Sequence, residues 1–550
     1  MLAIALAALV AASAPAAAKA KATAPSRALE TILQDDGLLL YRPAPEVQAA
    51  VARMKQLGID RVRVTASWSS LTRAAESETK PAGFDAADPG AYEQERWRGL
   101  DTAIRAIRAA GLKALVDIGF WAPHWATSDP PGPRARTNID PQAYADFATA
   151  VALRYSGAFR PPPAAAPPPA PNQDASLIEE LTGGLVPFPL PDLIPPGRRA
   201  RAAQSGAAAA PAAPLPKVDR FIIWNEPNHP GLLLPQWQGV RPASPAVYRP
   251  MLRAGYAAVK RVRRSATVLI GNTSSTGGGR PGTGPVAPLE FLRELACVDA
   301  RLKPRRTGDC ASFTTLPGDG WSHHPYSQNE RPSRVSDPET ERGDLRLADL
   351  PVLAKTLNKL VRMKRLAPRN RFIYLTEFGY ETKGIPGRPR VDERQQARWL
   401  TWAEYLAERV RTVRSFSQFL LRDQPPAPVR VSQSEARPFG EYSTGLLNVD
   451  GSEKIAARTF LAGLFAQLQR KGRVLLYGRL RLGAGRKAIV IQRRVARGRW
   501  KRLQRIEVDG RSSFRRTFGH RPGARYRITY PAPGGGRAAG LDLRPVRAGG

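Results

Sequence analysis

Cysteine is scarce: Cys297 and Cys310 are the only two in 550 residues. A structural zinc site takes four Cys or His ligands at close spacing, and no such histidines accompany this pair. The simplest use of the two thiols in an exported chain is one disulfide closing a short loop. Long apolar runs are missing too. "MLAIALAALVAASAPAAAKA" is apolar, but Pro15 interrupts it, and a membrane span needs about 20 apolar residues. Its small residues suit an A-x-A cleavage site, although no basic segment precedes them. Residues 1–20 therefore read as a signal peptide and the chain as secreted, with no membrane span. No glycine-rich fingerprint opens a helix, which removes the usual sign of a dinucleotide-binding sheet, and no cofactor is expected. Nucleic-acid recognition motifs with interleaved aromatics are absent as well. Acids are few: 47 Asp and Glu face 84 Lys and Arg, a net charge of +37. That surplus suits an anionic partner, or reflects an arginine preference in a chain rich in Ala, Gly and Pro; it speaks to association and not to fold.

Strand-like and helix-like segments alternate from residue 27 onward. "RVRVTASW", "KALVDIGFW", "DRFIIWNE", "ATVLIGNTS", "GWSHHPYS", "RFIYLTEFGY" and "VRSFSQFLL" have the β-branched and aromatic content of strands. An early strand near Glu30 to Gln34 brings the count to eight. Amphipathic patterns such as "QERWRGLDTAIRAIRAAG" lie between them. Eight such units predict a (β/α)8 barrel over 27–464. Within it, residues 158–217 ("RPPPAAAPPPAPNQ", "AAQSGAAAAPAAPLP") read as a low-complexity insertion on the face away from the chemistry. "EKIAARTFLAGLFAQL" reads as the last barrel helix. Short alternating strands separated by Gly turns then predict an all-β sandwich over 470–530, and residues 531–550 read as a disordered tail. From Lys471 to Tyr530 nineteen cations face only Glu507 and Asp509, a surplus of +17. The basic module suggests attachment to an anionic cell-wall polymer, or surface charge that only keeps it soluble. A chain ending near Leu468 is expected to retain the chemistry.

"IIWNEPN" drives Glu226 out of an apolar strand, and "IYLTEFGY" does the same with Glu377. By strand parity Ile222, Trp224 and Glu226 share one face, as do Ile373, Leu375 and Glu377. Both carboxylates then emerge at the C-terminal mouth of the barrel, where such folds keep their chemistry. A carboxylate pair across a cleft is the equipment of glycoside hydrolysis: one acid donates a proton and one carboxylate attacks.

These motifs resemble the clan A retaining glycoside hydrolases, whose (β/α)8 barrels carry two glutamates on strands 4 and 7. The nearest groups are family-5 cellulases and family-39 xylosidase-like enzymes. The resemblance implies an O-glycosidase cleaving a carbohydrate substrate by double displacement. It makes Glu226 the general acid/base and Glu377 the nucleophile. Asn225 would bind the sugar 2-hydroxyl, and Arg63 would keep the nucleophile ionised. His324 and Tyr326 would line the site, with Tyr326 on the nucleophile; His323 reads as a packing residue. His124 and Trp125 in "FWAPHWA" are candidate sugar contacts, and Trp68 and Trp121 candidate stacking platforms. Strand 8 ("SFSQFLLRD") lacks the sugar-stacking Trp usual in that clan. A second reading is a non-catalytic carbohydrate- or wall-binding protein on the same barrel.

Overall fold

The computed structural model describes residues 28–130, 134–162, 213–383, 390–425, 442–496, 498–532 and 534–547. The signal-peptide segment 1–20 and most of the 158–217 insertion lie outside them. Eight parallel strands close the barrel in sequence order: β1 (Glu30–Gln34), β2 (Arg61–Ser67), β3 (Lys113–Gly119), β4 (Arg220–Ile223), β5 (Thr267–Thr273), β6 (Gly320–His323), β7 (Ile373–Leu375) and β8 (Val413–Phe419). The intervening helices are α1 (Ala44–Gln56), α2 (Gln94–Ala109), α3 (Pro141–Arg154), α4 (Ser244–Val262), α5 (Pro288–Leu295), α6 (Leu350–Arg362) and α7 (Glu393–Arg409), and α8 (Ile455–Leu461) follows β8. Their starts are written locally. Asp140 caps α3 just ahead of Pro141, and Asp392 and Gln395 form a reciprocal capping box on α7. The insertion joins α3 to β4, and its described ends meet where Leu215 N–H donates to Phe159 O at 2.9 Å. Cys297 and Cys310 form the expected disulfide, with Cα atoms 5.6 Å apart.

Alternation along the strands stacks three layers inside the barrel. At the bottom Arg61 and Arg220 share Glu30. An apolar waist follows, made by Ile32, Leu115, Ile222 and Leu269 with Tyr374 against them. Above it lies a polar layer containing Arg63 and Asp117. Parity fails at two strand ends. Ile373 and Leu375 face the helices and Tyr374 faces inward, opposite to the sequence expectation. Trp224 also turns outward, onto Tyr144 of α3, because it adopts a left-handed conformation (φ 65°) that ends the strand's alternation. Glu226 is left-handed as well (φ 38°). Both glutamates reach the mouth through the irregular backbone that follows each strand.

Beyond α8 the chain builds two antiparallel sheets around one apolar core. The first contains β9 (Ala462–Gln469), β10 (Arg473–Leu480) and β13 (Ser513–Gly519); the second contains β11 (Arg486–Val495), β12 (Lys501–Asp509), β14 (Ala524–Pro531) and β15 (Arg537–Ala539). Two boundaries differ from the sequence reading. The stretch read as one barrel helix is helical only to Leu461; Ala462–Gln469 is β9 and belongs to the all-β domain. The expected disordered tail instead supplies β15 on β14, and Val546 N–H donates to Ala466 O at 3.0 Å. A cut at Leu468 would therefore fall inside a paired strand.

The two domains are joined through a buried charge cluster. Arg479 of β10 and Arg481 just after it donate to Glu404 of α7 at 2.7–2.8 Å, and both also reach Thr31 Oγ1 of β1 at 3.1 Å. Trp402 stacks on Phe465 beside them at 5.3 Å. Glu404→Gln leaves two buried guanidiniums without a counter-charge, a change that costs about 3–5 kcal/mol in comparable pairs. Denaturant unfolding of the whole chain should show a loss of that size. A loss below about 1 kcal/mol would mean that solvent already screens the cluster.

Candidate active site

Arg63, on β2, is completely buried at the centre of the polar layer. A guanidinium without water needs acceptors around its fork. Nη1 pairs with Glu377 Oε1, and Nη2 with Asp117 Oδ2 of β3 and, at 2.9 Å, with Asn225 Oδ1. Asn225 Oδ1 also accepts from Asn272 Nδ2 at 2.8 Å. With two donors on its oxygen, the Asn225 carboxamide is fixed, and its NH2 is the end left for a ligand.

Glu377 is held at both oxygens. Arg63 takes Oε1, and the Tyr326 hydroxyl donates to Oε2 at 3.1 Å. Burial, reinforced by the charges of Glu377 and Glu226, raises the Tyr326 phenol far above its ordinary value, so it remains a donor. Glu226 has different neighbours. His324 Nδ1 lies 2.8 Å from Glu226 Oε1 and 3.6 Å from Glu377 Oε2. Burial pushes the Glu226 carboxyl up, but the His324 hydrogen bond and charge, backed by His229 and Arg63, outweigh it and hold Glu226 below its ordinary range. His324 Nε2 faces Asn272 Oδ1 at 3.0 Å and Arg63 Nη1 at 3.4 Å. One atom each of Glu226, His324 and Glu377 lie within 4.8 Å of one another. The three are near enough to converge on a cation, though Arg63 already supplies positive charge against Glu377.

Asp117 rises to about 6, because burial outweighs the pull of Arg63. His323 turns away from the glutamates, toward Thr273 Oγ1 (2.9 Å) and Leu345 O (2.7 Å), and burial lowers it to about 4. It is the packing histidine the sequence suggested.

The aromatic candidates fare differently. Trp68 is not a sugar platform: it has no exposed surface and stacks on Phe147 at 5.4 Å, between barrel and helix. Trp121 is nearly as buried, and its indole N–H donates to Gly231 O at 3.0 Å. The His124 ring nitrogen meets the Asp129 carbonyl, which ties down its own loop. Trp125 is half-buried against Phe84 and Trp68.

Sequence reasoning missed Asn272, the hub of the site. Its Nδ2 donates to Asn225 and to Trp224 O (3.1 Å); its Oδ1 accepts from Ser322 Oγ at 2.7 Å and Thr376 Oγ1 at 3.0 Å and faces His324. The signal was present: "LIGNTS" ends an apolar strand in a polar side chain, as "IIWNE" and "YLTE" do. Asp117 also had a signal, a carboxylate inside the apolar run "KALVDIGF". Asn272→Leu removes both ends of this hub at once. Each buried polar group left unpaired costs about 1–3 kcal/mol, so thermal and denaturant unfolding should show a loss of at least that size. Wild-type stability in this variant would show that water replaces the amide.

No protein-family model and no curated protein matches this chain. Solved structures do. An exo-β-1,4-mannosidase, Op5Man5, from Opitutaceae bacterium strain TAV5 is similar at 15% identity and a TM-score of 0.40, over 79% of this chain and 59% of that one. A GH5_18 protein from Streptomyces cattleya, solved with GlcNAc, is similar at 16% identity and a TM-score of 0.41, over 79% of each chain. An FMN-binding β-glucuronidase from Facaelibacterium prausnitzii L2-6 is similar at 10% identity and a TM-score of 0.36, over 96% of this chain. The chain spans 59% and 57% of the mannosidase and the glucuronidase respectively, less than two thirds of either. At such identities and scores these likenesses do not define a substrate.

Proposed function

We propose that this chain is an exported, retaining O-glycoside hydrolase acting on a β-linked oligo- or polysaccharide. The observation that carries the reading is the convergence of Glu226 and Glu377, from the ends of β4 and β7, into one cluster with unlike surroundings. Two carboxylates serve double displacement only if they are near and different. Retaining pairs stand about 5–5.5 Å apart and inverting pairs about 6.5–9.5 Å; one oxygen of each glutamate within 4.8 Å of the other favours the first.

In the proposed reaction Glu377 attacks the anomeric carbon while Glu226 gives its proton to the leaving oxygen. Arg63 and Tyr326 aim the attacking carboxylate, and the Asn225 NH2 meets the sugar 2-hydroxyl. Glu226, then ionised, takes a proton from the water that releases the sugar. The Cys297–Cys310 disulfide supports export, since such bonds persist in oxidising compartments. For the basic domain we propose attachment to an anionic cell-wall polymer.

Aryl β-glycosides with good and poor leaving groups test the roles. Glu377→Gln should lose hydrolysis of both. Glu226→Gln should lose about 10²–10⁴ on the poor leaving group and much less on the activated one, because only the former needs the proton. NMR of the first product should show retained anomeric configuration; an inverted product would overturn the assignment of Glu377 as nucleophile.

The pH profile provides an independent check. Glu226 must carry a proton for the first step, so its titration sets the alkaline limb of kcat/KM. His324 is the main group holding Glu226 low. In His324→Ala burial is opposed only by His229 and Arg63, Glu226 titrates higher, and the alkaline limb should move to higher pH. A limb that stays in place or moves down would exclude Glu226 as the acid.

A further inference from the structure

A cavity of about 560 Å³ opens between α8 and the second sheet of the C-terminal domain. That volume lies within the ~300–1,000 Å³ typical of ligand clefts. Arg458 and Glu453 line it from the barrel side; Arg494, Trp500, Arg527 and Asp542 line it from the domain side. Arg527 pairs across the sheet with Gln492, two residues from Arg494, so strand alternation puts both arginines on one face. Their guanidiniums lie 4.8 and 4.2 Å from the Trp500 ring, which stays partly exposed.

The cavity is short of negative charge. Asp542 is engaged by Arg525 at 2.5 Å and by Arg494 at 3.5 Å, while Glu453 is shared between Arg53 and Arg458. Lys454, at the back, is neutralised by Asp423. Arg494 Nε is buried with no hydrogen-bond acceptor. Burial and the neighbouring Arg494 charge both lower Arg527, as expected of two cations crowded on one indole.

We infer that this cavity binds a carboxylate-bearing pyranose of an acidic polysaccharide, the uronate carboxylate on the Arg494 and Arg527 guanidiniums and the sugar ring against Trp500. A guanidinium fork matches a planar carboxylate bidentately. An indole presents a broad apolar surface to the C–H groups of a pyranose. The inference deepens the reading of the basic domain as an anchor and does not depend on the hydrolytic reading, because no cavity residue belongs to the glutamate cluster. It replaces diffuse attraction by a +17 surface with one defined site.

The test uses the full chain and polygalacturonate, with dextran as a neutral polymer, polyglycerol phosphate as an anionic polymer without pyranose rings, and dT20 as a nucleic-acid probe. Wild type should bind polygalacturonate at 50 mM NaCl and lose at least about tenfold in affinity by 500 mM, as screening shortens the reach of charge. Arg494→Gln/Arg527→Gln and, separately, Trp500→Ala should each weaken binding at least about tenfold while melting near wild type and hydrolysing a small aryl glycoside normally. No binding by wild type would overturn the anchor reading itself. Salt-sensitive binding by wild type that both variants retain would overturn only the site, leaving the charge spread over the surface. Equal binding of polyglycerol phosphate, also lost in the variants, would refute the pyranose carboxylate as ligand, and tighter binding of dT20 would replace the saccharide with a nucleic acid.

Discussion

Everything at the mouth of the barrel is arranged around one buried cation. Arg63 has no exposed surface and sits just above an apolar waist, so the cost of removing its charge from water must be offset within a few ångströms. Glu377, Asp117 and Asn225 provide that offset from β7, β3 and β4. Three strand ends are thereby tied to a fourth. Because a guanidinium is planar, its fork also fixes the directions from which those acceptors approach. The irregular backbone at Trp224 and Glu226 is tolerated in this setting: Asn225 between them is held by Arg63 and Asn272, and the Glu226 N–H donates to Asn272 O at 3.0 Å.

The same cation makes the two glutamates unlike. Glu377 is in direct contact with Arg63 and accepts from a phenol; Glu226 is in direct contact with His324 and feels Arg63 only at longer range. One carboxylate is thus held by groups that keep their protons at all working pH values. The other is held by an imidazole ring nitrogen, Nδ1 of His324. A nucleophile needs a fixed orientation, and an acid/base needs a proton that can leave and return.

Strand order, the barrel and the positions of the glutamates in sequence could be read directly, because each rests on a local pattern: an apolar β-rich run that ends in a carboxylate. What could not be read depends on backbone that leaves its regular repeat. Trp224 lies two residues from the inward Ile222, yet its left-handed turn sends it outward. Trp68 follows a strand at the mouth, but a one-turn helix begins there (Trp68–Leu71) and its ring is drawn into the aromatic cluster with Phe147 and Tyr144. Asn272 ends an apolar run as the glutamates do, but its role as hub exists only once β4, β5, β6 and β7 stand side by side. The Gly-rich end of the chain looked unstructured by composition, but Arg537–Ala539 folds back as an edge strand on β14, the strand just before it, because pairing there depends on backbone hydrogen bonds and not on side-chain pattern.

Buried arginines recur throughout the molecule. Arg61 is paired with Glu30 and Asp219, Arg63 with Glu377 and Asp117, Arg154 with Asp101, and Arg479 and Arg481 with Glu404. In each case acids from one element hold a guanidinium from another. The chain has only 47 acids for 84 cations, so every carboxylate committed to an interior pair is unavailable to balance the exterior. Around Arg63 the commitment is two acids to one cation, whereas Glu30 is shared by Arg61 and Arg220, and Glu404 alone holds both Arg479 and Arg481. The excess is greatest on the C-terminal strands, where Glu507 and Asp509 are the only acids from Lys471 to Tyr530. The chemistry proposed at one end of β2 and the joint between the two domains thus share a device: a buried guanidinium held by carboxylate from a neighbouring element.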